Sequence, residues 1–330
     1  MRFLAFLLVV AALFGGAYAL EEWHYTQPGP GPQGSVLLIV PGDGVNGISA
    51  KLEQSGAVDN AQFFAWSVRL HGESSRLKAG EYAVPPHASP AEIVAILASG
   101  RSIQHKFTAA EGLTTDMIYR LVRNDSELEG DAGAEPPEGT LLPETYLFTR
   151  GTTRAQLLAR MERAQEIFVQ ARWSMRAPNL PLRTPEEAVT LASIVEKETA
   201  LPAERRHIAA VFINRLMRGM KLQSDPTIIY GVSRGFPLGR GIRQSELSGA
   251  TPYNTYVIAG LPPTPICNPG KDAIAAVLSP ANSQDLYFVA DGTGGHVFSN
   301  NVEDHLRNVA RWRKIEAGRR DNPLRPDDLR

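Results

Sequence analysis

The hydrophobic pattern changes character several times along the chain. Phe3 to Leu20 is an uncharged, mostly apolar run with Arg2 before it and Glu21 and Glu22 after it. As a helix at ~1.5 Å per residue it reaches roughly 27 Å, enough to cross a bilayer core. Residues 1–20 are therefore expected to be a transmembrane anchor, with Arg2 and the free amine on the cytoplasmic side. Ala17-Tyr18-Ala19 also fits a signal-peptidase site, so a cleaved signal peptide stands beside the anchor. Both readings export residues 21–330. Residues 21–34 are expected to be linker, because Pro28, Pro30 and Pro32 deny helix and strand their donors.

Next comes a short region with alternating strand and helix signals, expected to be one small subdomain over residues 35–100. Val36–Val40 reads as a strand stopped by Pro41-Gly42, and Gly47–Gln54 and Ala61–Leu70 have helical spacing. Lys78–Val84 reads as turn and strand. Ser89-Pro90-Ala91-Glu92 opens a helix whose apolar face is Ile93, Ile96 and Leu97, and Gly100 ends it. This β-α-α-β-α order suits a compact α+β module, either a structural spacer or a glycan binder. Residues 101–330 form the expected larger domain. Thr114 is a candidate helix cap there, and Asp125–Glu138 is acidic, rich in Gly and Pro, and expected to be a surface loop. Ala155–Ala171 is helical, and Leu286–Ala290 and His296–Phe298 flank a Gly-rich turn as a hairpin. The fold class is α+β: one transmembrane helix, a small α+β subdomain, and a larger mixed α+β domain.

Charge and composition narrow the function. Thirty-four Lys and Arg balance 35 Asp and Glu, so no global basic field draws in nucleic acid. Cys267 is the single cysteine, which excludes an intrachain disulfide and a thiolate cluster. His296 and His305 lack metal-ligand spacing, and the Gly-rich turn lacks the Lys-Ser/Thr of a P-loop. Neither a metal nor a cofactor is expected.

The chemistry concentrates on one helix. Thr184-Pro185-Glu186-Glu187 is a start signature, with Thr184 as cap, Pro185 in the first turn and Glu187 completing a capping box. At 100° per residue, Ala188, Val189, Leu191, Ala192, Ile194 and Val195 fill one broad arc, with Lys197 opposite. Glu196 and Glu198 flank that arc. A flanking carboxyl is partly desolvated, and desolvation raises its pKa toward that of a neutral-pH proton donor. Periodicity nominates both glutamates without choosing, and pairing with Arg205 or Arg206 is the plain alternative. Leu222–Tyr230 and the six residues from Thr251 to Tyr256 add side chains able to stack on or hydrogen-bond a sugar. The second stretch also reads as a simple turn.

Several segments together resemble the endolytic murein transglycosylase (MltG, YceG-like) family. They are ASIVEKET (192–199), VFINRL (211–216), LQSDPTIIYG (222–231), TPYNTY (251–256), GLPP (260–263), NPG (268–270) and YFVADGTGGHVFS (287–299), in family order and spacing. The resemblance covers nearly the whole chain. Glu144, Thr264 and Cys267 depart from the usual pattern. The resemblance implies a LysM-like identity for residues 35–100 and a YceG-like catalytic domain for 101–330. It makes Glu198 the catalytic residue and Glu196 its support, with Gln223, Asp225, Tyr253, Asn254, Thr255 and Tyr256 binding substrate. Asp225 reads equally as a structural cap before Pro226. The implied location is the bacterial inner membrane, single-pass, with the catalytic domain on the periplasmic side. Peptidoglycan strands are the implied substrate, and the glycan-synthesising and penicillin-binding machinery the implied protein partner. The implied reaction cuts the β-1,4 bond between N-acetylmuramic acid and N-acetylglucosamine within strands, which helps to end elongation of nascent strands. A non-catalytic peptidoglycan-binding scaffold and a hydrolytic muramidase are the rival readings.

Overall fold

The computed structural model describes residues 2–321, without the side chains of 319–321. The chain divides into two compact units. The first spans residues up to Lys106, with Glu127–Glu129 and Leu147–Thr152; the second holds Phe107–Ser126, Gly130–Tyr146 and the chain from Thr153 on.

In the first unit α1 (Arg2–Thr26) carries the apolar run, and Phe3, Leu4, Phe6, Leu8, Leu13 and Phe14 are all exposed. This is the one described helix long and apolar enough to cross a membrane, compatible with a single-pass anchor. It continues six residues into the stretch expected to be linker, because nothing before Pro28 interrupts helical hydrogen bonding. Strand β1 (Ser35–Ile39) is followed by α2 (Val45–Gln54), α3 (Ala61–Leu70), β2 (Gly80–Val84) and α4 (Pro90–Ser99). The strands pair antiparallel, Ser35 opposite Val84 and Ile39 opposite Gly80. Leu37, Ile39, Ile48, Leu52, Phe64, Val68, Tyr82, Ile93 and Leu97 fill the core beneath them. Ser89 and Glu92 close a reciprocal capping box on α4, and Gly100 ends that helix at φ 70°.

Strand β3 (His105–Thr108), α5 (Thr115–Asn124) and β4 (Thr145–Phe148) come next, and β3 pairs with β4. Then come α6 (Arg154–Ser174), α7 (Pro185–Glu198), α8 (Pro202–Met217), α9 (Asp225–Ser233), α10 (Gln244–Leu247) and α11 (Lys271–Leu278). The hairpin β5 (Tyr287–Ala290) and β6 (His296–Ser299) and helix α12 (Val302–Asp321) complete the described chain. Helix α7 is central to the second core and packs against α6, α8, α9 and α11. The fold is mixed helix and strand, as expected.

Three local expectations change. Helix α7 is not amphipathic through its middle: Thr190 and Ser193 are as buried as the apolar arc. They afford this by bonding locally, Thr190 Oγ1 to Glu186 O at 2.9 Å and Ser193 Oγ to Thr190 O at 2.7 Å. Glu187 overshoots the capping box and accepts from Arg183 N at 2.6 Å, while Thr184 caps as expected. The acidic loop is not wholly superficial. Its last residue, Glu138, turns inward and accepts from Thr115 N (2.8 Å) and Tyr230 Oη (3.0 Å), and burial raises its pKa.

Candidate active site

The last turn of α7 sends its two glutamates to different surroundings. Glu196 Oε2 accepts from Gly270 N at 2.9 Å, and Oε1 lies 3.7 Å from the Arg205 guanidinium. Arg205 in turn reaches Asp272 at 3.3 Å. The NPG turn fits this junction because Asn268 is fully buried, taking Leu141 N and giving to Leu113 O and Thr115 Oγ1. A Cβ on Gly270 would collide with the Glu111 carboxyl. Glu196 is thus held by a main-chain donor and a cation, the pairing that the sequence left open.

Glu198, two residues later, lines a cavity of about 370 Å³ with Arg215, Leu222, Gln223, Asp225, Tyr256, Phe288 and His305. Ser224 Oγ donates to Glu198 Oε1 at 2.5 Å. Burial pushes the Glu198 carboxyl up to about 6; Asp225 adds to the rise, while Ser224, His296 and Arg215 oppose it. That leaves a carboxyl able to exist in both protonation states near neutral pH. Ser224 takes Oε1, and no hydrogen bond from a described residue reaches Oε2.

The cavity wall is shaped by main-chain bonds. The buried Arg215 guanidinium donates to Leu286 O (2.6 Å) and Leu222 O (2.7 Å), with a longer bond to Lys221 O (3.4 Å). This joins the start of β5 to the segment between α8 and α9. Gln223 takes a left-handed backbone, φ 51°, and its N–H reaches Thr255 O at 3.1 Å. Asp225 does not act as the helix cap: it is the first residue of α9, and its Oδ1 accepts from Tyr256 Oη at 2.7 Å.

The expected substrate-binding residues therefore separate. Gln223, Asp225 and Tyr256 line the cavity with Glu198. Asn254 and Thr255 are buried and require correction. Asn254 Nδ2 donates to the carbonyls of Glu246, Leu247 and Gly249, and its Oδ1 accepts from Tyr256 N. Thr255 Oγ1 accepts from Ser224 N at 2.9 Å and bonds Thr227 Oγ1. Both fold the loop that holds Ser224 and Tyr256, and their side-chain polar atoms are taken up inside the protein. Tyr253 is not among the cavity-lining residues; it packs edge-on to Tyr230 and bonds Thr264 Oγ1 at 2.8 Å. Sequence reasoning missed Ser224 as the donor to Glu198, and Arg215, Phe288 and His305 as cavity residues. The first three lie inside motifs already quoted, but residue type gave them no distinctive role.

His296 is occupied by Glu204, which bonds both its main-chain N (2.8 Å) and ring Nδ1 (2.7 Å). Among the described residues, one group has metal-ligand proximity: Glu21, Glu22 and His71 in the first unit. Its members already pair, His71 lying 3.2 Å from Glu21 and 3.8 Å from Glu22.

Glu198 is a partly buried acid in a polar cavity, and the chain also carries an N-terminal helix compatible with a single-pass membrane anchor. The YceG-like family profile matches residues 37–311, and the chain belongs to that family. An endolytic murein transglycosylase of Streptococcus pneumoniae is 31% identical over 363 residues, covering 93% of this chain and 64% of the relative. The chain thus spans under two thirds of that relative's length. The endolytic murein transglycosylase of Bacillus subtilis is 26% identical over 326 residues, covering 89% of each. The crystal structure of a yceG-like protein from Listeria monocytogenes superposes with a TM-score of 0.51 at 28% identity, covering 84% of this chain and 99% of that one.

Proposed function

We propose that this chain is a membrane-tethered endolytic lytic transglycosylase that cuts the N-acetylmuramic acid–β-1,4–N-acetylglucosamine bond within peptidoglycan strands. The observation that carries this reading is the Glu198 carboxyl, poised near pH 6 at the wall of a polar cavity. Protonated Glu198 gives its proton to the leaving glycosidic oxygen as the C1–O bond breaks, and the muramyl ring becomes oxocarbenium-like. Glu198, now a base, takes the proton of the same sugar's 6-hydroxyl as that oxygen bonds C1. The products are a free 4-hydroxyl end and a 1,6-anhydromuramyl end, and the intramolecular attack needs no water. Glu196, paired with Arg205 and Gly270, supports the helix end that aims Glu198. Gln223, Asp225 and Tyr256 are the glycan-holding residues. The related enzymes' names support the peptidoglycan substrate, and α1 supports single-pass anchoring with the remaining chain on the periplasmic side of a bacterial inner membrane. The β-α-α-β core of the first unit supports a LysM-like glycan-binding role. Glycan-synthesising and penicillin-binding proteins are the natural partners for an enzyme that ends nascent strands.

One observation favours a second reading. Asp225 places another carboxylate on the same cavity, and two carboxylates are the equipment of hydrolytic glycosidases. The two routes differ by one water in the product. Detergent-solubilised full chain incubated with peptidoglycan should yield anhydromuramyl ends by mass spectrometry. Reducing muramyl ends, heavier by one water, would instead assign a hydrolase, and uncut strands a binding scaffold.

A further inference from the structure

His305 lies on the same cavity as Glu198 but has no part in the proton transfers above. It belongs to the N-terminal part of α12, where Asn301 Oδ1 caps Asp304 N at 2.9 Å. Asn308 ties the helix to β6 through Ser299 Oγ at 3.1 Å. The imidazole stacks on Tyr287, centroids 4.9 Å apart and planes 20° apart, and the Arg215 guanidinium sits 5.3 Å over the same tyrosine ring. His305 is thus held on one face by a strand residue and fixed at its base by a capped helix.

Its two nitrogens are not equivalent. Nδ1 is enclosed and has no hydrogen-bond partner. Burial and the nearby Arg215 charge lower its pKa, which keeps the ring neutral. A neutral imidazole carries one proton. Nδ1 has no partner to receive a proton and Nε2 is the nitrogen left to meet a ligand, so the tautomer with the proton on Nε2 makes His305 a donor. A neutral donor on the cavity wall suits the strongest neutral acceptor on an N-acetylated sugar, the acetamido carbonyl oxygen.

We propose that His305 is a substrate-contacting residue whose Nε2–H donates to an acetamido carbonyl of the glycan. This rests on the glycan reading of the cavity. It makes the α12 wall a reader of N-acetylation and separates recognition from the acid/base role of Glu198.

The test uses the full chain in detergent in a Glu198→Gln background, so that the probe is bound and not cut. The probe is a peptide-free GlcNAc–MurNAc tetrasaccharide, compared by calorimetry with its de-N-acetylated form. His305→Phe keeps an aromatic ring on Tyr287 and removes the donor. It should weaken binding of the acetylated probe about tenfold, the scale of one hydrogen bond, and leave the deacetylated probe nearly unaffected. His305→Gln restores an N–H donor without the ring and should recover most of the loss. Unchanged affinity in His305→Phe overturns the proposal. So does the reverse order, Phe tolerated and Gln not, which marks a packing role. If the background binds neither probe while thermal melting shows it folded, the glycan reading fails and this inference falls with it.

Discussion

Glu196 and Glu198 stand two residues apart on the same helix turn, and their neighbourhoods differ in kind. Around Glu196 the protein has supplied two donors, the Gly270 amide and the Arg205 guanidinium. Around Glu198 it has supplied burial, one hydroxyl and open volume. The first arrangement holds a charge in place. The second makes a charge costly and leaves one carboxyl oxygen without a hydrogen bond among the described residues. Under the proposed mechanism identical side chains take different roles from what surrounds them, and that contrast can be tested in several ways.

The largest effect should come from Glu198→Gln, which keeps shape and loses proton transfer. Formation of cut ends should fall by roughly 10²–10⁴-fold, measured by mass spectrometry of digests. Folding should persist, and a variant that retains turnover would end the assignment. Next is Glu196→Ala, which strands the Gly270 amide and leaves Arg205 with only the exposed Asp272. It should cost about 2–4 kcal/mol in thermal or denaturant unfolding. Glu196→Gln should be milder, with activity reduced far less than in Glu198→Gln. If Glu196→Gln alone abolishes cleavage in a folded protein, the two roles are reversed.

A smaller effect tests the cost of the Glu198 charge directly. Its folded pKa, about 6, lies above the ordinary carboxyl value of 4.5, so the native state holds the proton more tightly than the unfolded chain. Stability from this group is therefore present below pH 4.5 and is lost as pH rises through 6. Glu198→Gln should melt higher than the parent at about pH 8, by up to about 2 kcal/mol, with this advantage absent at about pH 4. The smallest predicted effect is Ser224→Ala. Losing a bond that favours the charged carboxylate raises the Glu198 pKa further, and the alkaline limb of the activity profile should move up by about a pH unit or less.

The sequence made some of this arrangement readable. The start of α7 was visible in Thr184 and Pro185, because capping is local chemistry. The β-α-α-β order of the first unit was visible because its periodicities alternate cleanly. The choice between the glutamates was not available from spacing, since Arg205 and Gly270 reach Glu196 from other elements. Asn254 and Thr255 misled for a related reason: amides and hydroxyls suit sugars and main-chain groups equally well, and only burial tells them apart. Helix α12 and the cavity role of His305 gave no signal, because a mostly exposed polar helix has no strong apolar stripe and that role depends on contacts with β5.

Arg215 has a consequence for how sequences of this kind can drift. Its guanidinium joins β5 to the segment before α9 through the oxygens of residues 221, 222 and 286, all of them main chain. Any amino acid supplies such an oxygen, so the partners can change identity without breaking the joint. Arg215 itself has no such latitude. No substitution among its partners could compensate for its loss, so the tie would leave no covarying pair in a family alignment, only one invariant column beside three permissive ones.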